Sequence, residues 1–180
     1  MSDPVIYVCP LATVPDAIRK VRPSHLVSLL DPESMIETPE GVARERHLRL
    51  GINDIAEPYE DLVVPEARHV AELLNFVHGW EQDAPMLIHC WAGISRSTAA
   101  AFIALCALNE NYPEDELARL LRQRGAHAYP NKLLVRLADD LLGRKGRMQA
   151  AVEALGMTSQ GQGQLFAIPA LHSAGGKAAR

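Results

Sequence analysis

Apolar residues in this chain gather in short runs that alternate with longer stretches of helical spacing. Residues 5–9, 25–30, 47–50 and 86–90 are runs of strand length. Thr13 and Asp16 are spaced as a capping box, and Pro15 falls in the first turn of a helix expected to end near Val21. Residues 31–44 are polar, hold two prolines and predict a long loop. Pro65 is expected to open a helix whose apolar face is Val70, Leu73, Leu74 and Val77, with Gly79 ending it. From about Arg96 to Leu108 the pattern is apolar all round (Ala99, Phe102, Ile103, Leu105, Leu108), as in a helix enclosed by the core.

Pro113 predicts the start of a further helix. Glu114, Asp115 and Glu116 in its first turn, and Arg119, Arg122 and Arg124 toward its end, suit the macrodipole; Gly125 stops it. Pro130 is expected to start another, with Leu133, Leu134, Leu137 and Leu141 as its apolar residues, and residues 147–155 are expected to form one more. Strands alternating with helices predict one α/β domain: a mostly parallel or mixed sheet, covered on both faces, with functional groups at the carboxyl ends of its strands. The domain is expected over residues 1–155. Residues 156–180, rich in Gly, Gln and Ser, form a tail in which 165–168 docks on the core and 173–177 is mobile.

Composition narrows the function. A 180-residue chain suits one domain with a sizeable core, and 48% hydrophobic residues is ordinary for a globular protein. A net charge of −4 argues against general nucleic-acid affinity. No apolar run reaches membrane-spanning length, and the first residues lack the pattern of a signal peptide. Three cysteines without paired spacing are expected to be reduced thiols, which implies a cytoplasmic setting. The histidines are scattered, so neither a metal nor another cofactor is expected.

The chemistry concentrates in residues 89–97, His-Cys-Trp-Ala-Gly-Ile-Ser-Arg-Ser, between the apolar run 86–88 and the buried helix. A thiol at a strand end, a short Gly-containing loop and a helix N-terminus make an anion site with a nucleophile at its floor. The same field favours thiolate at Cys90. Arg96, always charged, offers a planar fork to two phosphate oxygens.

This stretch resembles the signature of the cysteine-dependent protein tyrosine phosphatases, His-Cys-x5-Arg-Ser/Thr. It is most similar to the dual-specificity branch, whose loops often read Cys-x-Ala-Gly-Ile-Ser-Arg-Ser; compact bacterial-type tyrosine phosphatases share this pattern. Residues 50–54, Leu-Gly-Ile-Asn-Asp, resemble the family's general-acid segment. Residues 121–124 with Tyr129-Pro130-Asn131 resemble its late Arg-x-x-x-x-Pro-Asn segment, with a different Arg-to-Pro spacing. The resemblance covers about residues 44–142 and implies a dual-specificity-phosphatase-like fold.

The resemblance implies that Cys90 attacks phosphorus and that Asp54 is the general acid, with Asp61 and Asp31 as rival carboxylates. The N–H groups of Trp91, Ala92, Gly93, Ile94, Ser95 and Arg96 would hold the phosphate oxygens. Ser97 would hydrogen-bond the Cys90 sulfur. His89 is expected to support the loop through hydrogen bonds or to be a satisfied core histidine. Asn131 suits either the rim of the site or a helix start. Trp91 either lines the cleft mouth or turns into the core. Cys106 is assigned to packing, and Cys9 to packing before any redox partnership with Cys90.

The partner implied is a phosphorylated protein, phosphotyrosine first and phosphoserine or phosphothreonine second, with no nucleic acid and no membrane. The sequence leaves the oligomeric state open. Two alternatives stand beside this reading. One is a phosphatase of inositol phosphates, lipids or RNA ends, weakened because family members acting on inositol lipids or inositol phosphates usually carry Lys inside the loop. The other is a pseudophosphatase that binds phosphopeptides, which would need a missing Cys, Arg or acid. The low-molecular-weight tyrosine phosphatases and arsenate reductases share the Cys-x5-Arg spacing but place it near the N-terminus.

Overall fold

The computed structural model describes residues 4–158 and 161–171. Five strands, β1 (Val5–Pro10), β2 (His25–Leu30), β3 (His47–Gly51), β4 (Met86–Cys90) and β5 (Phe166–Pro169), form one sheet in the order β3-β2-β4-β1-β5. The first four are parallel, and β5 pairs antiparallel with β1. The sheet is therefore mixed, and the carboxyl ends of β1 to β4 share one side.

Six helices cover it: α1 (Val14–Val21), α2 (Ala67–His78), α3 (Arg96–Leu108), α4 (Glu114–Arg124), α5 (Lys132–Leu141) and α6 (Arg147–Ala154). Period-two alternation divides the strand side chains between the faces. Val8, Val27 and Ile88 meet α2 to α6 in the main core, while Cys9, Leu26 and Leu87 meet α1 on the other side. All of α3 from Arg96 to Ala107 is buried. Its alanines at 99, 100, 101, 104 and 107 are small enough to let the helix approach its neighbours closely.

Several local expectations change. The 13–16 capping box does not form. Residues 11–13 make a 3-10 turn, the Thr13 hydroxyl donates back to the Pro10 carbonyl, and Asp16 pairs with Arg19 instead. Pro65 stands outside α2, which begins at Ala67. Glu66 is its cap and His69 completes a reciprocal box, the Glu66 N–H donating to His69 Nδ1 at 3.0 Å. The 31–44 loop contains a 3-10 turn, Pro32–Ser34. The 165–168 run docks by joining the sheet as an edge strand. Residues 173–177 lie outside the described residues. Among the described residues, no helix is long and apolar enough to cross a membrane.

β5 meets the end of α4 closely. A Cβ on Gly125 would lie 2.6 Å from Cζ of Phe166, with two more ring atoms within 2.9 Å. Gly125→Ala is therefore expected to cost about 1–3 kcal/mol by overpacking. The measurement is the urea midpoint at constant m; an unchanged midpoint would show that the Phe166 ring yields freely.

Candidate active site

Cys90 ends β4, Arg96 begins α3, and the five residues between them wrap a shallow bowl. Gly93 makes the turn at φ +69°, in the left-handed region. A Cβ there would also lie 2.7 Å from the Pro10 nitrogen and 2.8 Å from the Cys9 carbonyl carbon. The loop thus rests on the end of β1, and only glycine fits.

The loop's carbonyls are held from outside. Trp91 O accepts from the Leu11 N–H at 3.1 Å, Ile94 O from the Tyr129 N–H at 2.9 Å, and Ser95 O from the Asn131 N–H at 3.2 Å. In a planar trans peptide the next N–H points the opposite way. The N–H groups of Ala92, Ser95 and Arg96 therefore turn inward. The Gly93 N–H donates to the Cys90 sulfur at 3.2 Å, and the Ser97 hydroxyl lies 3.1 Å from it. Cys90 is 2% exposed, at the bottom of the bowl.

Arg96 is buried and held by one nitrogen. Its Nη1 donates to Asp31 Oδ1 at 2.9 Å and to the Ile52 carbonyl at 2.7 Å. Its Nε is buried without a partner. Asp31, at the end of β2, also accepts from Asn53 Nδ2 at 3.0 Å. Asp31 therefore orients Arg96. This partnership escaped the sequence reading, which weighed Asp31 only as a rival acid.

Asp54 follows β3 and lies above the loop. Ser95 Oγ donates to its Oδ1 at 2.7 Å, and Asn131 Nδ2 donates to the same oxygen at 2.9 Å. Asn131 also caps α5, its Oδ1 accepting from the Leu134 N–H at 3.0 Å. Its two sequence-based roles are thus both realised. Asp61 is exposed and does not line the cleft. The cleft, of about 560 Å³, is bordered by Asp31, Asp54, Ile55, Leu62, Trp91 and Arg96 among others. Trp91 is 59% exposed at its mouth, which decides against a core role.

His89 faces the α1 side of the sheet and cannot reach the bowl. Its Nε2 meets Ser28 Oγ at 2.6 Å, Ser28 Oγ meets His47 Nε2 at 2.8 Å, and His47 Nδ1 meets Thr38 Oγ1 at 3.0 Å. His89 Nδ1 approaches the Cys90 backbone but makes no hydrogen bond of good geometry. Burial pushes both imidazoles down to about 4. Cys9 shares that side of the sheet, whereas Cys90 faces the main core. Burial raises the Cys9 thiol to about 12 and raises that of Cys106 as well.

A family model described as protein-tyrosine phosphatase matches residues 57–123. Dual specificity protein phosphatase 15 of Rattus norvegicus is 31% identical over 86 residues, which cover 47% of this chain and 31% of that protein. The Mus musculus protein of the same name is 30% identical over 86 residues, covering 47% and 32%. The chain spans about a third of the length of the curated relatives it matches. The crystal structure of DUSP15 superposes with a TM-score of 0.62 at 21% identity, covering 84% of this chain and 92% of that one. The human tyrosine phosphatase-like serine/threonine/tyrosine-interacting protein superposes at 0.61 and 17% identity, covering 78% and 92%. PTPMT1 in complex with PI(5)P superposes at 0.55 and 14% identity, covering 77% and 90%. At these identities the structural likeness establishes the fold.

The paired histidines carry a pH prediction. A histidine at about 4 in the folded chain and near 6.5 unfolded leaves the unfolded state holding more protons between those values. Stability should therefore be complete above about pH 6.5 and fall as the pH drops toward 4. For His89 alone the loss from pH 7 to pH 5 is of order 2 kcal/mol. Urea denaturation at the two pH values measures it. His47→Gln should make the slope shallower; an unchanged slope would mean that this network does not titrate.

Proposed function

We propose that this chain, a dual-specificity-phosphatase-like member of the cysteine-dependent protein tyrosine phosphatase superfamily, hydrolyses phosphate monoesters on proteins, phosphotyrosine first, through a phosphocysteine on Cys90. One observation carries the reading. The Cys90 sulfur lies under inward-facing N–H groups, beside an Arg96 whose buried Nε has no partner within the protein. A phosphoryl group bound there would supply oxygens to those donors and its phosphorus to the sulfur.

In the first step the Cys90 thiolate attacks phosphorus. The bond to the leaving oxygen breaks, and that oxygen takes a proton from Asp54. Both hydrogen bonds to Asp54 fall on Oδ1, so the proton is carried on Oδ2. In the second step Asp54 accepts a proton from water, the water oxygen bonds to phosphorus, and the P–S bond breaks. Cys90 then leaves as thiolate, eased by the Ser97 hydroxyl.

The cleft supports a phosphorylated aromatic side chain. Trp91, Ile55 and Leu62 give it apolar walls that suit an aryl ring. Arg96 is the one cation among its lining residues, and its charge is already met by Asp31. A multiply phosphorylated inositol or an RNA end would bring further negative charge with no second cation to meet it. A pseudophosphatase would lack the Cys, the Arg or the acid, whereas Cys90, Arg96 and Asp54 are all present. The chain is proposed to act in the cytoplasm without a cofactor.

Cys90→Ser is expected to abolish turnover of an aryl phosphate with the fold intact, and Arg96→Lys to remove most of it, because a point charge cannot copy the fork. Asp54→Asn should slow substrates with poor leaving groups by about 10²–10⁴-fold, and a highly activated aryl phosphate far less. Asp31→Asn should weaken turnover without that dependence on leaving group, since it acts through Arg96. The assay compares kcat across aryl phosphates of graded leaving-group pKa. A loss in Asp54→Asn that is the same for every leaving group would remove Asp54 as the acid.

A further inference from the structure

The segment before β5 returns to the outer wall of the phosphate loop. A Cβ on Gly163 would lie 1.9 Å from the Ala92 carbonyl oxygen, 3.0 Å from its carbon and 3.2 Å from the Gly93 carbonyl carbon. One Cα hydrogen of Gly163 occupies that direction and points at the oxygen, a weak C–H···O contact. The segment is held there from both sides. Ahead of β5, the Gln164 N–H faces His127 Nε2 at 3.4 Å, and the Phe166 ring meets His127 edge-on with centroids 5.3 Å apart. Beyond β5, the Ala170 N–H donates to the Pro4 carbonyl at 2.8 Å, and Asn109 Nδ2 donates to the Ala170 carbonyl at 2.8 Å.

The Ala92–Gly93 peptide that Gly163 touches is also the one whose N–H reaches Cys90. Its oxygen faces Gly163 on the outside, and the Gly93 N–H donates to the Cys90 sulfur at 3.2 Å on the inside. A planar peptide tilts as a unit, so the oxygen cannot shift without moving the N–H. The end of β1 closes the remaining side, because Cys9 and Pro10 back directly onto Gly93. The peptide is sandwiched between the end of β1 and the segment before β5.

We infer that Gly163 is a positioning residue for Cys90: the return segment, tethered by His127, clamps the Ala92–Gly93 peptide and so aims its N–H at the sulfur. The inference rests on the reading of Cys90 as the nucleophile. Only glycine can stand at this point, because any Cβ would meet a backbone oxygen rather than a side chain that could swing away. Gly161, two residues earlier, has open space around it: a Cβ there meets nothing within 4 Å. The two glycines therefore form a matched pair, one clamping and one free.

The test is the rate of iodoacetate alkylation of Cys90 at pH 6 in the full-length protein, followed by peptide mass spectrometry, with the thermal midpoint as control. Loss of one N–H donor to the thiolate should slow Gly163→Ala roughly tenfold. It should also raise the vanadate concentration needed for protection. Gly161→Ala should match the wild type. Wild-type rates in Gly163→Ala, or equal slowing in both variants, would overturn the inference. If Gly163→Ala does not fold, Gln164→Pro removes the N–H that meets His127 and leaves the contact between His127 and the Gly93 backbone in place; it should slow alkylation about threefold, and a wild-type rate there overturns the inference equally. The readout does not require turnover. A wild-type protein that alkylates rapidly but hydrolyses no phosphate ester would contradict the phosphatase reading and leave the clamp standing.

Discussion

The loop between β4 and α3 must turn several N–H groups toward one point, and a peptide backbone does this only if the opposite carbonyls are satisfied elsewhere. Trp91, Ile94 and Ser95 send their carbonyls to Leu11, Tyr129 and Asn131, which lie just after β1 and just before α5. Gly93 takes a left-handed turn against the Cys9–Pro10 peptide. The site is thus a consequence of how β1, the 125–131 loop and the return segment surround five residues. A free loop of the same sequence would have no reason to hold this shape, because its N–H groups would repel one another as they converge.

Electrostatics follow from the same enclosure. Arg96 is held by Asp31 and the Ile52 carbonyl through one nitrogen, which fixes the guanidinium plane and leaves Nε without a partner. Asp54 is fixed by Ser95, from the loop itself, and by Asn131, which also caps α5. Asp54 is thereby referenced to the loop proposed to bind the phosphate, so that the proposed nucleophile and proton donor share one frame. On the opposite face, the Ser28–His47–His89 network satisfies polar groups inside the sheet and is kept uncharged by burial.

Much of this is legible in the sequence, and what is not has a physical reason. The four parallel strands show as short apolar runs because both faces are covered. Cys90 and Arg96 stand out because a strand, a short loop and a helix dictate their spacing. Asp54 is legible from its place after β3. Ser28 and His47 are hidden because a polar residue inside an apolar run gives no sign of its partner, and His89 lies 61 residues from Ser28. Gly163 is hidden for the opposite reason. In a stretch of Gly and Gln it reads as loose tail, and only the closeness of Ala92 gives it meaning. Thr13 and Asp16 have the spacing of a cap, yet the 3-10 turn before α1 directs the hydroxyl backward.

The central claim is that phosphate passes through a covalent bond to Cys90. Its most direct test is rapid acid quench of the Ser97→Ala protein during turnover of an aryl phosphate, with mass spectrometry of the peptides. Weakening the departure of the thiolate should let the intermediate accumulate. The account predicts one phosphoryl group on the peptide containing Cys90, none on those containing Cys9 or Cys106, and none at all in Cys90→Ser. Turnover with the phosphoryl group on another residue, or undiminished turnover in Cys90→Ser, would contradict it.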